Sequence, residues 1–123
     1  MERTIKIGGI DCRMKTSAAL PRIYRMTLGR DLFLDFSAMI TVKKNKKGEE
    51  KFFVTDISTL ENIAWAMHKH GDNTQPDDVT EWLAQFETPT AVTDAADEIV
   101  NMWLDENETT SEEQKKREES TEK

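Results

Sequence analysis

The sequence predicts an α+β fold that is mainly α: an N-terminal β-hairpin packed on a small bundle of about five helices, with a disordered C-terminal tail. Three observations carry this expectation. Residues 4–15 alternate polar and apolar about a Gly8–Gly9 pair, which is the two-residue signal of a hairpin turn. Later stretches repeat apolar residues at helical spacing between capping and breaking residues. From Asp105 to Lys123 there is no apolar residue at all. With 123 residues in all, the chain suits one domain, expected over residues 1–104, with a charged tail over 105–123.

Thr4–Ile7 and Ile10–Lys15 are the expected strands, with Ile10, Cys12 and Met14 on one face. Two strands alone are marginal in water, so the hairpin must lie on the helices or pair with another chain's edge. Thr16 or Ser17 caps a first helix over about Leu20–Leu28, with Pro21 in its first turn and Gly29 as its left-handed stop. Leu20, Ile23, Tyr24 and Thr27 share one side of it, and Arg22 and Arg25 the other. Asp31 caps a second helix, Leu32 to about Thr41. Its stripe is Leu32, Phe33, Phe36, Met39 and Ile40, and Leu34 falls opposite. This is the most apolar segment of the chain, and it is expected to form the centre of the fold.

Lys43–Lys51 reads as a polar loop, and Phe52–Val54 as a short strand or the entry to the next helix. Thr55 or Asp56 caps a third helix, which ends at Gly71–Asp72. Ile57, Leu60, Ile63, Ala64 and Met67 form its apolar face. Trp65 lies about 140° from the centre of that stripe, so it packs on a second layer or faces a partner. Pro76 suits the first position of a fourth helix, whose stripe is Val79, Trp82, Leu83 and Phe86. Thr88–Pro89 breaks it. Thr90 or Thr93 caps a last helix carrying Val92, Ala96, Ile99 and Trp103.

The tail holds eight acidic and four basic side chains, −4 of the net charge of −7, which leaves −3 for residues 1–104. With nothing apolar to bury, it cannot offset the entropy lost on ordering. The acidic balance argues against non-specific nucleic-acid binding, which needs clustered cations to displace counterions. One basic run, Lys43–Lys47, is followed by Glu49 and Glu50 and reads as a solvated loop. A single cysteine, Cys12, excludes a disulfide framework and fits a reducing compartment. The N-terminus lacks the apolar run of a signal peptide, and no stretch approaches the ~20 apolar residues of a membrane span. A soluble intracellular protein is expected.

Catalytic constellations are weak, and neither an enzyme nor a cofactor is expected. His68 and His70 stand on the expected exposed end of the third helix, about 200° apart, so they cannot chelate one ion there. Cys12 reads as a buried structural thiol. Gly8–Gly9 lacks the frame of a phosphate loop. Met14, Met26, Met39, Met67 and Met102 are spread over the elements; singly each reads as core filling, although methionine also serves adaptable binding surfaces.

The run Ser17-Ala-Ala-Leu-Pro-Arg-Ile-Tyr-Arg-Met-Thr-Leu-Gly-Arg-Asp-Leu-Phe-Leu-Asp-Phe, with the hairpin Ile5-Lys-Ile-Gly-Gly before it, resembles the tail assembly chaperones of long-tailed phages and prophages of Gram-positive bacteria. That family tends to begin with an I-x-I-x-G-x hairpin and to continue as S-A-x-x-P-x-x-Y-R-x-x-F-G-R-D. Leu28 stands where the pattern usually has Phe. Leu60-Glu-Asn-Ile-Ala-Trp-Ala-Met and Glu81-Trp-Leu-Ala-Gln-Phe also fit, so the resemblance spans about residues 3–104.

The resemblance implies a non-enzymatic assembly factor in the host bacterial cytoplasm, absent from the mature virion. Its client would be the long, hydrophobic, helical tape-measure protein. A frameshifted longer product would engage the tail-tube protein, and copies would self-associate along the client. Tyr24, Arg25, Leu34 and Trp65 are the candidate partner-binding residues: the first two lie in the signature, the last two off their stripes. The rival readings are a head–tail connector-type virion protein and, further off, a helical DNA-binding regulator. The latter would require polar residues where Leu32, Phe33, Leu34 and Phe36 stand.

Overall fold

The structure, a computed structural model, describes residues 1–105. Its elements run β1 (Glu2–Ile7), β2 (Ile10–Lys15), α1 (Ala19–Leu28), α2 (Leu32–Met39), β3 (Ile40–Lys44), β4 (Glu50–Val54), α3 (Ile57–Gly71), α4 (Val79–Leu83), α5 (Ala91–Asp94) and α6 (96–105). The predicted class, mainly helical with an N-terminal hairpin, is what the chain adopts. Among the described residues, six helices and a second hairpin appear where five helices and one hairpin were expected. The tail expected to be disordered lies, from residue 106, outside the described residues.

The first hairpin forms for the predicted reason. Gly8 and Gly9 both take positive φ, 55° and 81°, the backbone of a two-residue turn that matches strand twist. Gly8 also packs tightly on α5: a Cβ there would lie 3.1 Å from the Ala91 side chain. Ile5 pairs with Cys12 across the ladder. Ile5, Ile7, Cys12 and Met14 are all buried, while Ile10 is exposed. At the open end the Met1 ammonium donates to the Thr16 carbonyl, and the Thr16 N–H donates back to the Met1 carbonyl.

The centre of the fold is α3, not α2 as expected. It packs on β2, α1, α2, α4 and α5 and buries Thr59, Leu60, Ile63, Ala64, Trp65, Ala66, Met67 and His68. Asp56 caps it through the Thr59 N–H and hydroxyl. Ile57, placed on the core stripe by spacing, is exposed. At the other end Gly71 lies against β2 so closely that any Cβ would collide with the Arg13 carbonyl. Gly71 is therefore a crossing point as well as a helix terminus.

Helix α2 ends at Met39, two residues earlier than predicted, and the chain turns directly into β3. Thr55 ties down the end of α2: its N–H and hydroxyl both donate to the Met39 carbonyl. The stretch Lys43–Lys51, expected as a loop, is most of the second hairpin. Ile40 pairs with Val54 and Val42 with Phe52. Asn45 builds the turn by accepting from the Lys47 and Glu49 N–H groups, and Gly48 supplies positive φ.

Helix α4 starts at Val79 and not at Pro76. Asp78 is its cap, accepting from the Glu81 N–H. Pro76 instead offers its carbonyl to the Trp65 indole N–H, and Asp77 pairs with Lys69. The expected last helix is broken at Ala95 into α5 and α6. His68, expected at an exposed helix end, is buried and accepts from the Trp82 indole N–H at 2.9 Å.

Candidate functional site: an apolar surface on α2, the second hairpin and α6

Side-chain alternation makes the β3–β4 hairpin two-faced. Ile40, Val42, Phe52 and Val54 point to one side and Thr41, Lys43, Lys51 and Phe53 to the other. The apolar side leans toward α6 without closing on it. A groove of about 610 Å³ remains, walled by Phe36, Ile40, Val42, Phe52 and Leu104, with Glu50, Lys51 and Asn101 at its rim. A second opening of about 510 Å³ lies on the other side of Phe52, against Thr93, Ala96 and Asp97.

The α2 end of this surface is aromatic. Trp103 on α6 is nearly buried, with Phe33 and Phe36 each 5.5 Å from it between ring centroids. Both pairs are tilted, a favourable aromatic geometry. Phe36 thus belongs to the aromatic cluster and to the groove wall. Phe33 is nevertheless 55% exposed and Val42 58%. Apolar surface left uncovered and continuous with a groove marks a protein-interaction site more than scattered single residues do.

The four residues singled out from sequence divide cleanly. Leu34 is exposed at 70%, and its N–H is taken by the Asp31 cap. It stands on α2 on the side opposite Phe36 and does not wall the groove. Arg25 is exposed in the last turn of α1, where a cation complements the helix dipole. Trp65 and Tyr24 lie in the interior, at 1% and 0% exposure, and not at the surface positions expected of them. Trp65 is 1% exposed because its ring fills the layer between α3 and the Pro76 loop.

Tyr24 is buried because α1 and α2 are locked through it. Its hydroxyl donates to Asp35 Oδ2 at 2.6 Å. Arg30 donates to the same carboxylate through Nε and Nη2, at 2.6 and 2.8 Å. Arg30's hydrogen bonds, and after them Tyr24's, hold the Asp35 carboxyl below the usual carboxylate range, against the opposing effect of burial. Burial, and then the Asp35 bond, push the Tyr24 phenol up, so it stays a donor. This network fixes the angle at which α2 carries Phe33, Leu34 and Phe36.

Sequence reasoning missed Asp35, Phe33 as an exposed residue, and the Val42–Phe52 pair. Asp35 had a visible signal: it is the only charge between Leu32 and Thr41, and such a charge is buried only with partners. Among the described residues no cluster of three or more His, Cys, Asp or Glu is placed to hold a metal ion. No helix among them is long and apolar enough to cross a membrane. Chemically the surface offers exposed apolar and aromatic side chains beside a groove, area of the kind that suits an apolar partner. No family model matches the chain, nor does any curated protein or solved structure.

Proposed function

We propose that this chain is a tail assembly chaperone of a long-tailed phage or prophage. It holds the hydrophobic helical tape-measure protein in the host cytoplasm until the tail tube closes around it, and performs no catalysis. The resemblance carried by Ser17–Phe36 supports this client class. The observation that carries the reading is the uncovered apolar surface, in which Phe33, Val42 and the groove beside Phe52 are continuous with the Trp103 cluster. An amphipathic or apolar helix is about 10 Å across and docks by laying its apolar stripe into such a groove. The acidic exterior keeps the loaded complex soluble. The longer, frameshifted product would add the tail-tube contact beyond residue 123.

The test is capture of tape-measure fragments from the same phage by the full chain. Apolar helical fragments should co-purify with the wild type, and Leu34→Asp/Val42→Asp should release them while staying folded. Purified particles should lack the chain. Its presence there in fixed stoichiometry would replace this reading with that of a connector-type virion protein.

A further inference from the structure

Helix α6 brings the chain to the mouth of the groove beside the second hairpin. Asn101 and Leu104 line that groove together with Val42, Lys51 and Phe52, so the chain continues past Asp105 next to β3 and β4. The hairpin is basic: residues 43–51 hold five lysines and two glutamates. Opposed residues of a ladder share a side, so Lys44 continues the row of Ile40 and Val42 on the groove side. Lys51 stands at the groove rim. Among the described residues Lys44, Lys46 and Lys47 are exposed and form no ion pair. The chain beyond α6 has the opposite sign: residues 106–113 hold four glutamates and no lysine or arginine. Carboxylates that follow a helix C-terminus lie at the negative end of its dipole, and residues 71–105 offer them no lysine or arginine. Arg3 is already paired with Asp105. Lys44 lies two strand residues, about 7 Å, beyond Val42, and eight extended residues span up to about 28 Å, so residues 106–113 reach the hairpin turn.

We propose that residues 106–113 lie in cis across the lysine side of the second hairpin, their glutamates paired with Lys44, Lys46 and Lys47, as a displaceable strap over the mouth of the groove. Charge complementarity and reach select this occupant. Exposed ion pairs are individually weak, but tethering at Asp105 makes the contact intramolecular, at an effective concentration in the millimolar range. A segment with no apolar residue cannot fill the groove, so the strap yields to a partner that buries the groove's apolar walls. That consequence rests on the proposed function; the contact itself needs no client.

Paramagnetic broadening of amide signals in the full chain tests it. Ser111→Cys places a nitroxide in the segment without changing its charge, and the native Cys12 is buried away from the label. At about 0.02 M salt, where screening is weak over contact distances, the amide signals of residues 42–51 should lose most of their intensity, and at about 0.5 M they should recover it. Lys44→Gln/Lys46→Gln/Lys47→Gln should abolish the loss at low salt. In an equimolar mixture of isotope-labelled chain without nitroxide and nitroxide-bearing chain without isotope, the same signals should keep their intensity. Unbroadened hairpin signals at low salt, broadening that survives the lysine changes, or equal broadening in the mixture would overturn the proposal. Glu106→Gln/Glu108→Gln/Glu112→Gln/Glu113→Gln should bind an apolar tape-measure fragment of zero net charge about fivefold more tightly than the wild type at low salt, the gain expected when three exposed pairs no longer have to be broken. Equal affinity would refute the strap. Absence of capture by either protein strikes the client reading and leaves the broadening result standing, whereas absence of broadening strikes the strap and leaves capture standing.

Discussion

Replacing Tyr24 by Phe separates a lock from a contact residue. The ring is fully buried and its packing survives the change. What is lost above all is the 2.6 Å hydrogen bond to the Asp35 carboxylate. A buried bond to a charged acceptor contributes about 1.5–3 kcal/mol. Asp35 keeps its two bonds from Arg30, so the carboxylate is not stranded, and the lower half of that range applies. The expected loss is therefore about 1.5–2 kcal/mol, or about 6–10 °C in Tm for a domain of this size.

The pH dependence follows from Asp35. Its folded pKa lies below the unfolded value of about 3.9, so its contribution is present above that value and fades as pH falls through the folded one. The gap between wild type and Tyr24→Phe should be constant from neutral pH to about 5 and should shrink below 4. Urea unfolding followed by tryptophan fluorescence measures both. A variant as stable as the wild type at pH 7 would refute the lock. Client capture by the folded variant should be unchanged, because the Tyr24 ring is buried and the two bonds from Arg30 to Asp35 still hold α2 in place.

Gly71→Ala should destabilise by ~3 kcal/mol, the upper end of overpacking costs, because the added Cβ meets backbone of β2 and no side chain can yield; equilibrium unfolding reads it directly. His68 is held neutral mainly by burial, so stability should fall as pH drops below about 6.5, where the unfolded chain takes up the proton. His68→Gln, which can still accept from Trp82, should flatten that slope in thermal unfolding between pH 7 and 5. The Cys12 thiol is pushed up to about 11, chiefly by burial; in native protein it should resist a thiol reagent that labels it at once in urea.

Where local signals agreed, the sequence was a sufficient guide. The Gly8–Gly9 hairpin, the Gly29 stop, the Asp31 and Asp56 caps and the end of α3 all follow from backbone chemistry that acts within a few residues. The errors arose where a distant partner decided. Trp65 looked stray on a single helix wheel because the Pro76 loop that covers it is eleven residues away. His68 looked exposed because Trp82 was not yet beside it. Lys43–Lys51 looked like a loop because lysines masked the alternation of Ile40, Val42, Phe52 and Val54, which register alone reveals. For the candidate site, exposure of Leu34 was legible from its stripe. The groove was not, since its walls come from α2, both strands of the second hairpin and α6.

The central claim is that the surface on α2 and the second hairpin holds an apolar helical client. Titration of a tape-measure fragment into wild type and Leu34→Asp/Val42→Asp tests it most directly. Burying one such side chain contributes about 1.5–3 kcal/mol, so losing both should weaken binding by at least a hundredfold, with the variant's unfolding midpoint close to that of the wild type. Equal affinity for the two proteins would contradict the account.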